Sequence, residues 1–391
     1  VSVPSGVVVV GASAAGLATA EALRRKGYRG EVSVVGAEPH LPYDRPPLSK
    51  QVLSGAWAPE RARLRTEEAL AGLRAEFVLG DPAVALDAAA RTVRTASGRV
   101  LGGDAVVVAT GLRARRLPGQ DGLSGVHVLR TLDDALALRA ELRESVRLVV
   151  AGEGVLGAEI AATARGLGAE VTMAGPQPAP LAAQLGPMVA DLLAGLHAER
   201  GVALRLGTGV TGLTGQDGRV TGVRLGTGEV LPADVVVVAI GAEPATGWLA
   251  GSGLRVADGV VCDSRCRAAE GVYAVGDVAR WEHATLGSLR LENRTNAVEQ
   301  ALAVADNILG AERHYSPVPY FWTDQFDARI HVYGLPSAAA EVSVVEGDPA
   351  GRRFVALYRE DGRVTGVLGW NMPKQARLRR QELVEALTPA L

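Results

Sequence analysis

The apolar positions of this chain fall into two nearly repeated patterns. The first is a valine run, Val7 to Val10, closed by Gly11-Ala12-Ser13-Ala14-Ala15-Gly16. Small apolar residues at helical spacing follow over Leu17–Lys26, then a second run ending at Glu38. The second copy reads Leu148-Val-Val-Ala151, then Gly152-Glu153-Gly154-Val155-Leu156-Gly157, a helical stretch over Ala158–Arg165, and a run from Glu170 to Gly175. Short valine-rich runs bounded by glycine suit parallel strands covered on both faces. Each copy therefore reads as strand, glycine turn, helix, strand. Each is also echoed by a later run, Asp104–Gly111 after the first and Asp234–Gly241 after the second.

The pattern predicts an α/β protein with two doubly wound Rossmann-like nucleotide-binding domains, the second inserted in the first. Residues 1–112 and 242–315 form one and residues 113–241 the other, with the run Gly271–Asp277 returning to the first. From about Tyr315 the pattern changes. Strand-like runs at Ala328–Tyr333 and Arg353–Tyr358 precede a polar, basic helix near Gln375–Leu387, which predicts a small α+β C-terminal domain over 316–391.

Composition narrows the function. With 391 residues and 48% hydrophobic content, the chain can bury several cores. Lys+Arg 41 against Asp+Glu 43 leaves a net charge of −2, which argues against a nucleic-acid binder. Four Phe, five Trp and seven Tyr leave the cores to Ala, Val and Leu. Two cysteines, Cys262 and Cys266, are too few to staple a secreted fold. No run approaches about eighteen uninterrupted apolar residues, and the opening Val1–Gly6 lacks the marks of a leader, so a cytoplasmic protein without a membrane segment is expected. The six histidines show no metal-ligand spacing, and no metal is expected.

The glycine loops carry the chemistry. A strand–turn–helix start aims backbone N–H groups and the positive helix end at a pyrophosphate. Gly11 supports the turn, Gly16 allows close helix packing, and Ser13 stands where the fingerprint has its middle glycine. Glu38 ends the next strand, where an acid would bind ribose hydroxyls. The second loop, with Gly152, Gly154 and Gly157, matches the full fingerprint. Its expected acid is missing: Gly175 is followed by Pro176-Gln177, with no arginine for a 2′-phosphate either. NADH against NADPH therefore stays open.

Together with Arg45-Pro-Pro-Leu-Ser-Lys50, Ala109-Thr110-Gly111, Gly241-Ala-Glu-Pro244, Tyr273–Asp277, Asn296–Gln300 and Tyr320–Gln325, these segments carry a resemblance. The chain resembles the FAD-dependent NAD(P)H:ferredoxin reductases of oxygenase systems, of the putidaredoxin reductase and rubredoxin reductase type, in the two-dinucleotide-domain flavoprotein superfamily. The resemblance covers nearly the whole length. It implies that residues 1–112 and 242–315 hold FAD and that residues 113–241 hold NADH or NADPH.

The loop residues Gly11, Ser13, Ala14, Ala15 and Gly16, with Glu38, would take the AMP half of FAD. Arg45, Lys50, Ala109, Thr110, Gly111, Gly241, Gly276, Asp277 and Asn296 would complete the flavin site, with Lys50 beside the hydride-accepting face and Trp322 near the flavin edge. Glu159, after the second fingerprint, would pair with Lys50 near the nicotinamide. The implied reaction takes hydride onto FAD and passes single electrons to a small, acidic iron–sulfur ferredoxin serving a cytochrome P450 or a Rieske-type oxygenase. The basic run Lys374, Arg377, Arg379 and Arg380 would steer that ferredoxin. A monomer or weak dimer is expected.

Two departures stand out. Arg294 replaces a tryptophan common in the family, and Gly175 replaces the second acid. They leave room for a quinone or other small-molecule acceptor, or for a flavin-stabilised interaction protein of the apoptosis-inducing-factor type. Disulfide reductase chemistry needs thiols near the flavin, and the Arg45–Lys50 segment holds no sulfur. Cys262 and Cys266 read as structural thiols.

Overall fold

The computed structural model describes residues 4–387. Residues 1–3 and 388–391, the outer ends of the first and last predicted domains and part of the Val1–Gly6 segment, lie outside the described residues. The valine runs form the centres of two sheets. In the first, strands run in the order Arg267–Ala269, Val272–Ala274, Ala105–Val108, Gly6–Val10, Glu31–Gly36, Glu76–Leu79. All neighbours are parallel except the first pair. In the second, the order is Ala203–Leu206, Glu170–Gly175, Arg147–Ala151, Val235–Val238, Val126–His127, parallel throughout. Val7 to Val10 and Val235 to Val238 are buried on both faces, as covered parallel strands require.

Each central strand turns at a glycine into a helix, Ala14–Arg25 in the first sheet and Val155–Gly166 in the second. Gly11 and Gly152 both sit at φ +124°, which disfavours any side chain. The chain crosses between the sheets at Leu112–Ala114 and Ala242–Pro244, and these two crossings pair antiparallel. Gly271–Asp277 returns to the first sheet, where Val272–Ala274 lies beside Ala105–Val108.

The C-terminal part is a five-stranded antiparallel sheet ordered Tyr320–Gln325, Ala328–Gly334, Arg363–Trp370, Arg353–Glu360, Glu341–Asp348, with helix Pro373–Leu387 against it. Leu48, Leu53, Ile160, Phe354 and Trp370 share one buried core. The segment after Arg45, the second sheet and the C-terminal sheet are therefore bound into a single body of apolar packing, and this fixes the walls of the site.

Candidate active site

A cleft of about 560 Å³ opens where the two glycine loops face each other. The first loop contributes Ser13, Ala14 and Ala15, and the second contributes Gly154, Val155 and Leu156, with Glu159 following on the helix. Ser13 caps the helix with extended backbone and no side-chain bond to it, so first-turn amides stay open toward the cleft. Gly11, Gly16, Gly152 and Gly157 lie underneath rather than in the wall. A Cβ on Gly16 would stand 1.8 Å from the Gly11 carbonyl oxygen, and one on Gly157 would stand 2.1 Å from the Gly152 oxygen. Ala109, Thr110, Gly111 and Gly241 line the far side, with Gly276 and Asp277 near the first loop. Thr110 is anchored by donating to the Ala245 carbonyl at 2.9 Å.

Pro46–Ser49 is a single helical turn started by proline, and it delivers Lys50 to the cleft. Lys50 Nζ meets Glu159 Oε2 at 2.7 Å, with the two side chains only 13% and 7% exposed. Ser49 Oγ donates to the same oxygen at 2.6 Å, and Thr323 Oγ1 donates to Oε1 at 2.9 Å. Gln325 Nε2 donates to Thr323 at 3.1 Å, and Gln325 Oε1 lies 2.8 Å from His197 Nε2. Burial pushes the His197 pKa below its usual value, partly offset by Gln325. A nearly buried ion pair stands only when its remaining lone pairs are satisfied, and Glu159 meets that condition.

A second polar cluster floors the cleft. Arg45 pairs with Glu38 at 2.9 Å and donates to the Arg130 carbonyl. Tyr43 donates to the other Glu38 oxygen and accepts from Leu132 N at 3.0 Å. Burial works against the Arg45 charge, but Tyr43 and Glu38 outweigh it and its pKa is raised. Arg130 reaches Asp277 at 3.2 Å, while its Nε is buried without a partner. Its pKa is lowered, first by burial and then by Arg45.

Arg130 was not singled out from the sequence. Its signal is the capping box that follows, where Thr131 accepts from Asp134 N and the Asp134 carboxylate accepts from the Arg130 and Thr131 amides. That box places Arg130 at the mouth of helix Leu132–Glu141. Two half-buried arginines, an orphaned Nε and an open helix start leave the site short of hydrogen-bond acceptors. A dinucleotide pyrophosphate fits that deficit.

Two expected site residues sit differently. Asn296 does not face the cleft. Helix Arg294–Ile308 turns Arg294 and Ala297 toward it, and Asn296 points the other way, accepting from Tyr315 OH at 3.0 Å. Glu38 has both oxygens engaged by Arg45 and Tyr43 and is outside the cleft wall. Arg294 is in the wall, paired with Asp44.

Trp322 lines the cleft and stacks on Tyr320 at 5.9 Å between ring centres. Tyr320 pairs across the sheet with Tyr333 and stacks on it at 4.7 Å. Both tyrosines border a second pocket rimmed by Arg377 and Arg380. Of the basic run, Arg379 instead pairs with Glu382 at 3.1 Å, and Lys374 is exposed.

Cys262 and Cys266 are free, buried and outside the cleft wall. Burial pushes the Cys266 thiol up to about 12 and the Cys262 thiol well above its usual value, opposite to what thiolate chemistry needs. Among the described residues no helix is long and apolar enough to cross a membrane.

Residues 5–301 match the family model described as pyridine nucleotide-disulphide oxidoreductase. The chain belongs to that family. Residues 320–390 match the model described as reductase C-terminal. The chain is 39% identical to a ferredoxin–NAD(P)+ reductase of Sphingomonas sp, over 97% of this chain and 92% of that protein. It is 38% identical to the ferredoxin–NAD+ reductase subunit of the benzene 1,2-dioxygenase system of Pseudomonas putida, over 97% of this chain and 92% of that protein. The fold superposes on the reductase in the covalent putidaredoxin reductase–putidaredoxin complex with a TM-score of 0.93 at 33% identity, covering 97% and 93% of the two chains. This family member is an oxidoreductase whose cofactors are FAD and a nicotinamide dinucleotide.

Proposed function

We propose that this flavoenzyme carries electrons from NAD(P)H through FAD to a small iron–sulfur ferredoxin that supplies an oxygenase, a cytochrome P450 or a Rieske-type enzyme. The observation that carries the proposal is the cleft itself: two glycine loops face one space that holds the Lys50–Glu159 pair and no sulfur. The relatives named for ferredoxins support the acceptor.

FAD belongs with residues 1–112 and 242–315, the nicotinamide dinucleotide with 113–241, and the ferredoxin face with 316–391. The two parallel sheets and the separate C-terminal match support this division. Arg45, Arg130 and the amides of Ala14 and Ala15 would hold the FAD pyrophosphate. Ala109, Thr110, Gly111, Gly241, Gly276 and Asp277 would wall the rest. Bound FAD supplies the conversion between a hydride and single electrons. Lys50, held by Glu159 and Ser49, brings positive charge to the space where negative charge accumulates, and Gly154 lets the dinucleotide backbone come close. The stack Trp322–Tyr320–Tyr333 leads outward to Arg377 and Arg380, whose charge suits an acidic partner. The enzyme works in the cytoplasm as a monomer or weak dimer.

Anaerobic stopped-flow mixing with NADH and NADPH, followed by ferredoxin, tests this reading. Rapid bleaching of the flavin and transfer to ferredoxin are expected. Fast turnover of quinones with no ferredoxin reduced would replace the acceptor, and very slow bleaching with both nucleotides would indicate an interaction protein.

A further inference from the structure

We infer that Glu153 carries the ribose specificity of the second glycine loop and makes the enzyme selective for NADH over NADPH. The inference rests on the reading that this loop holds the nicotinamide dinucleotide. In such a unit the strand after the helix ends beside the adenosine ribose, where an acid accepts from the diol or an arginine takes a 2′-phosphate. Here that strand ends in Gly175.

The structure fills the gap from the loop. Glu153 Oε2 lies 1.4 Å from where a Cβ on Gly175 would stand. The carboxylate thus occupies the start of the missing side chain. Glu153 is 3% exposed and fixed from two directions: Oε1 accepts from Gln177 N at 3.0 Å, and its carbonyl accepts from Leu181 N at 3.0 Å. Among the described residues no donor reaches Oε2, which leaves an acceptor for a ribose hydroxyl.

The surroundings disfavour a phosphate. Residues 176–184 contain no lysine or arginine. The arginine on the adjacent strand, Arg205, lies opposite Ala174 and meets Glu229 at 3.5 Å. A 2′-phosphate would therefore meet a carboxylate with no cation between them. The first loop has nothing comparable: Ala12 stands at the position of Glu153, its Cβ 2.8 Å from the Cβ that Gly36 lacks.

Calorimetric titration of the purified FAD-loaded protein with NAD+ and NADP+ tests this without turnover. NAD+ should bind about tenfold to a hundredfold tighter, the range expected for a bond to a charged acceptor. Glu153→Gln, which keeps the shape, should reduce that ratio about tenfold with FAD content unchanged. The double variant Glu153→Gly with Gly175→Glu returns the carboxylate to the strand end and should restore the preference. Equal affinities in the unaltered protein, a preference for NADP+, or an unchanged ratio in Glu153→Gln would overturn the inference while leaving the loop assignment intact. Binding of neither nucleotide would overturn both.

Discussion

At the first glycine loop, Gly11 N donates to Val35 O at 2.7 Å and Ala109 N donates to Val10 O at 2.7 Å. At the second, Gly152 N donates to Ala174 O and Ala239 N to Ala151 O, again at 2.7 Å. The backbones repeat almost bond for bond, yet the charges do not. The first unit keeps its acid beyond the strand end, as Glu38, and clamps it with Arg45 and Tyr43. The second has Gln177 at the matching place and carries its acid inside the loop, as Glu153. The difference teaches that the turn is dictated by backbone contacts, while the recognising charge can come from any nearby position that reaches the same point in space.

Ways to break this likeness follow in order of size. Replacing either buried loop glycine by valine drives atoms into a carbonyl and should cost about 3 kcal/mol or more in thermal unfolding. The cofactor lost should differ: Gly16→Val should release FAD, whereas Gly157→Val should keep FAD, read from its absorbance, and lose nucleotide binding. If both variants shed FAD alike, the division of labour between the loops is wrong.

A smaller effect is expected at the bond joining the two units. Lys50→Ala and Glu159→Gln should each slow flavin reduction by about tenfold to a hundredfold in stopped-flow traces, the scale of one charge-assisted hydrogen bond. FAD retention should fall much less. Reduction at the unaltered rate would remove the pair from the reaction.

The smallest effect separates two matching aspartates. Asp234 is gripped by Arg147 at 2.6 Å, and this lowers its pKa to about 2. Its counterpart Asp104 is lowered by hydrogen bonds from Ser5 instead. A carboxylate whose folded pKa is depressed stabilises the fold above its ordinary value near about 4, and that contribution is lost as the pH falls toward the folded value. Asp234→Asn should therefore flatten the acid limb of stability between pH 4 and about 2, by under about 1 kcal/mol because the pair is solvent-screened. Acid denaturation curves check it. At neutral salt strength the Asp104→Asn curve should lie nearer to the unaltered protein.

Much of the fold was legible because its signals are local. Valine runs, glycine turns and the run Gly271–Asp277 each specify their own strand, and the echo between copies supplies the topology. The site was only partly legible. Lys50 and Glu159 came from resemblance, since nothing local says that positions 109 residues apart meet. Asn296 was placed in the cleft, but the phase of a helix beginning at Arg294 turns it away. Arg130 and Tyr43 act through a network of carbonyls and carboxylates that no spacing rule encodes. Glu153 did leave a trace, an acid in the loop beside a glycine where an acid was due, but only the crossing of the two segments gives it meaning.

The Glu159 carboxylate is held by donors from two separate stretches of chain, Ser49–Lys50 and Thr323 in the C-terminal sheet. A chimera that grafted a C-terminal region lacking a hydroxyl at that position would strip a donor from a carboxylate that is only 7% exposed, so compatibility of such grafts should follow the residue at 323 rather than overall similarity.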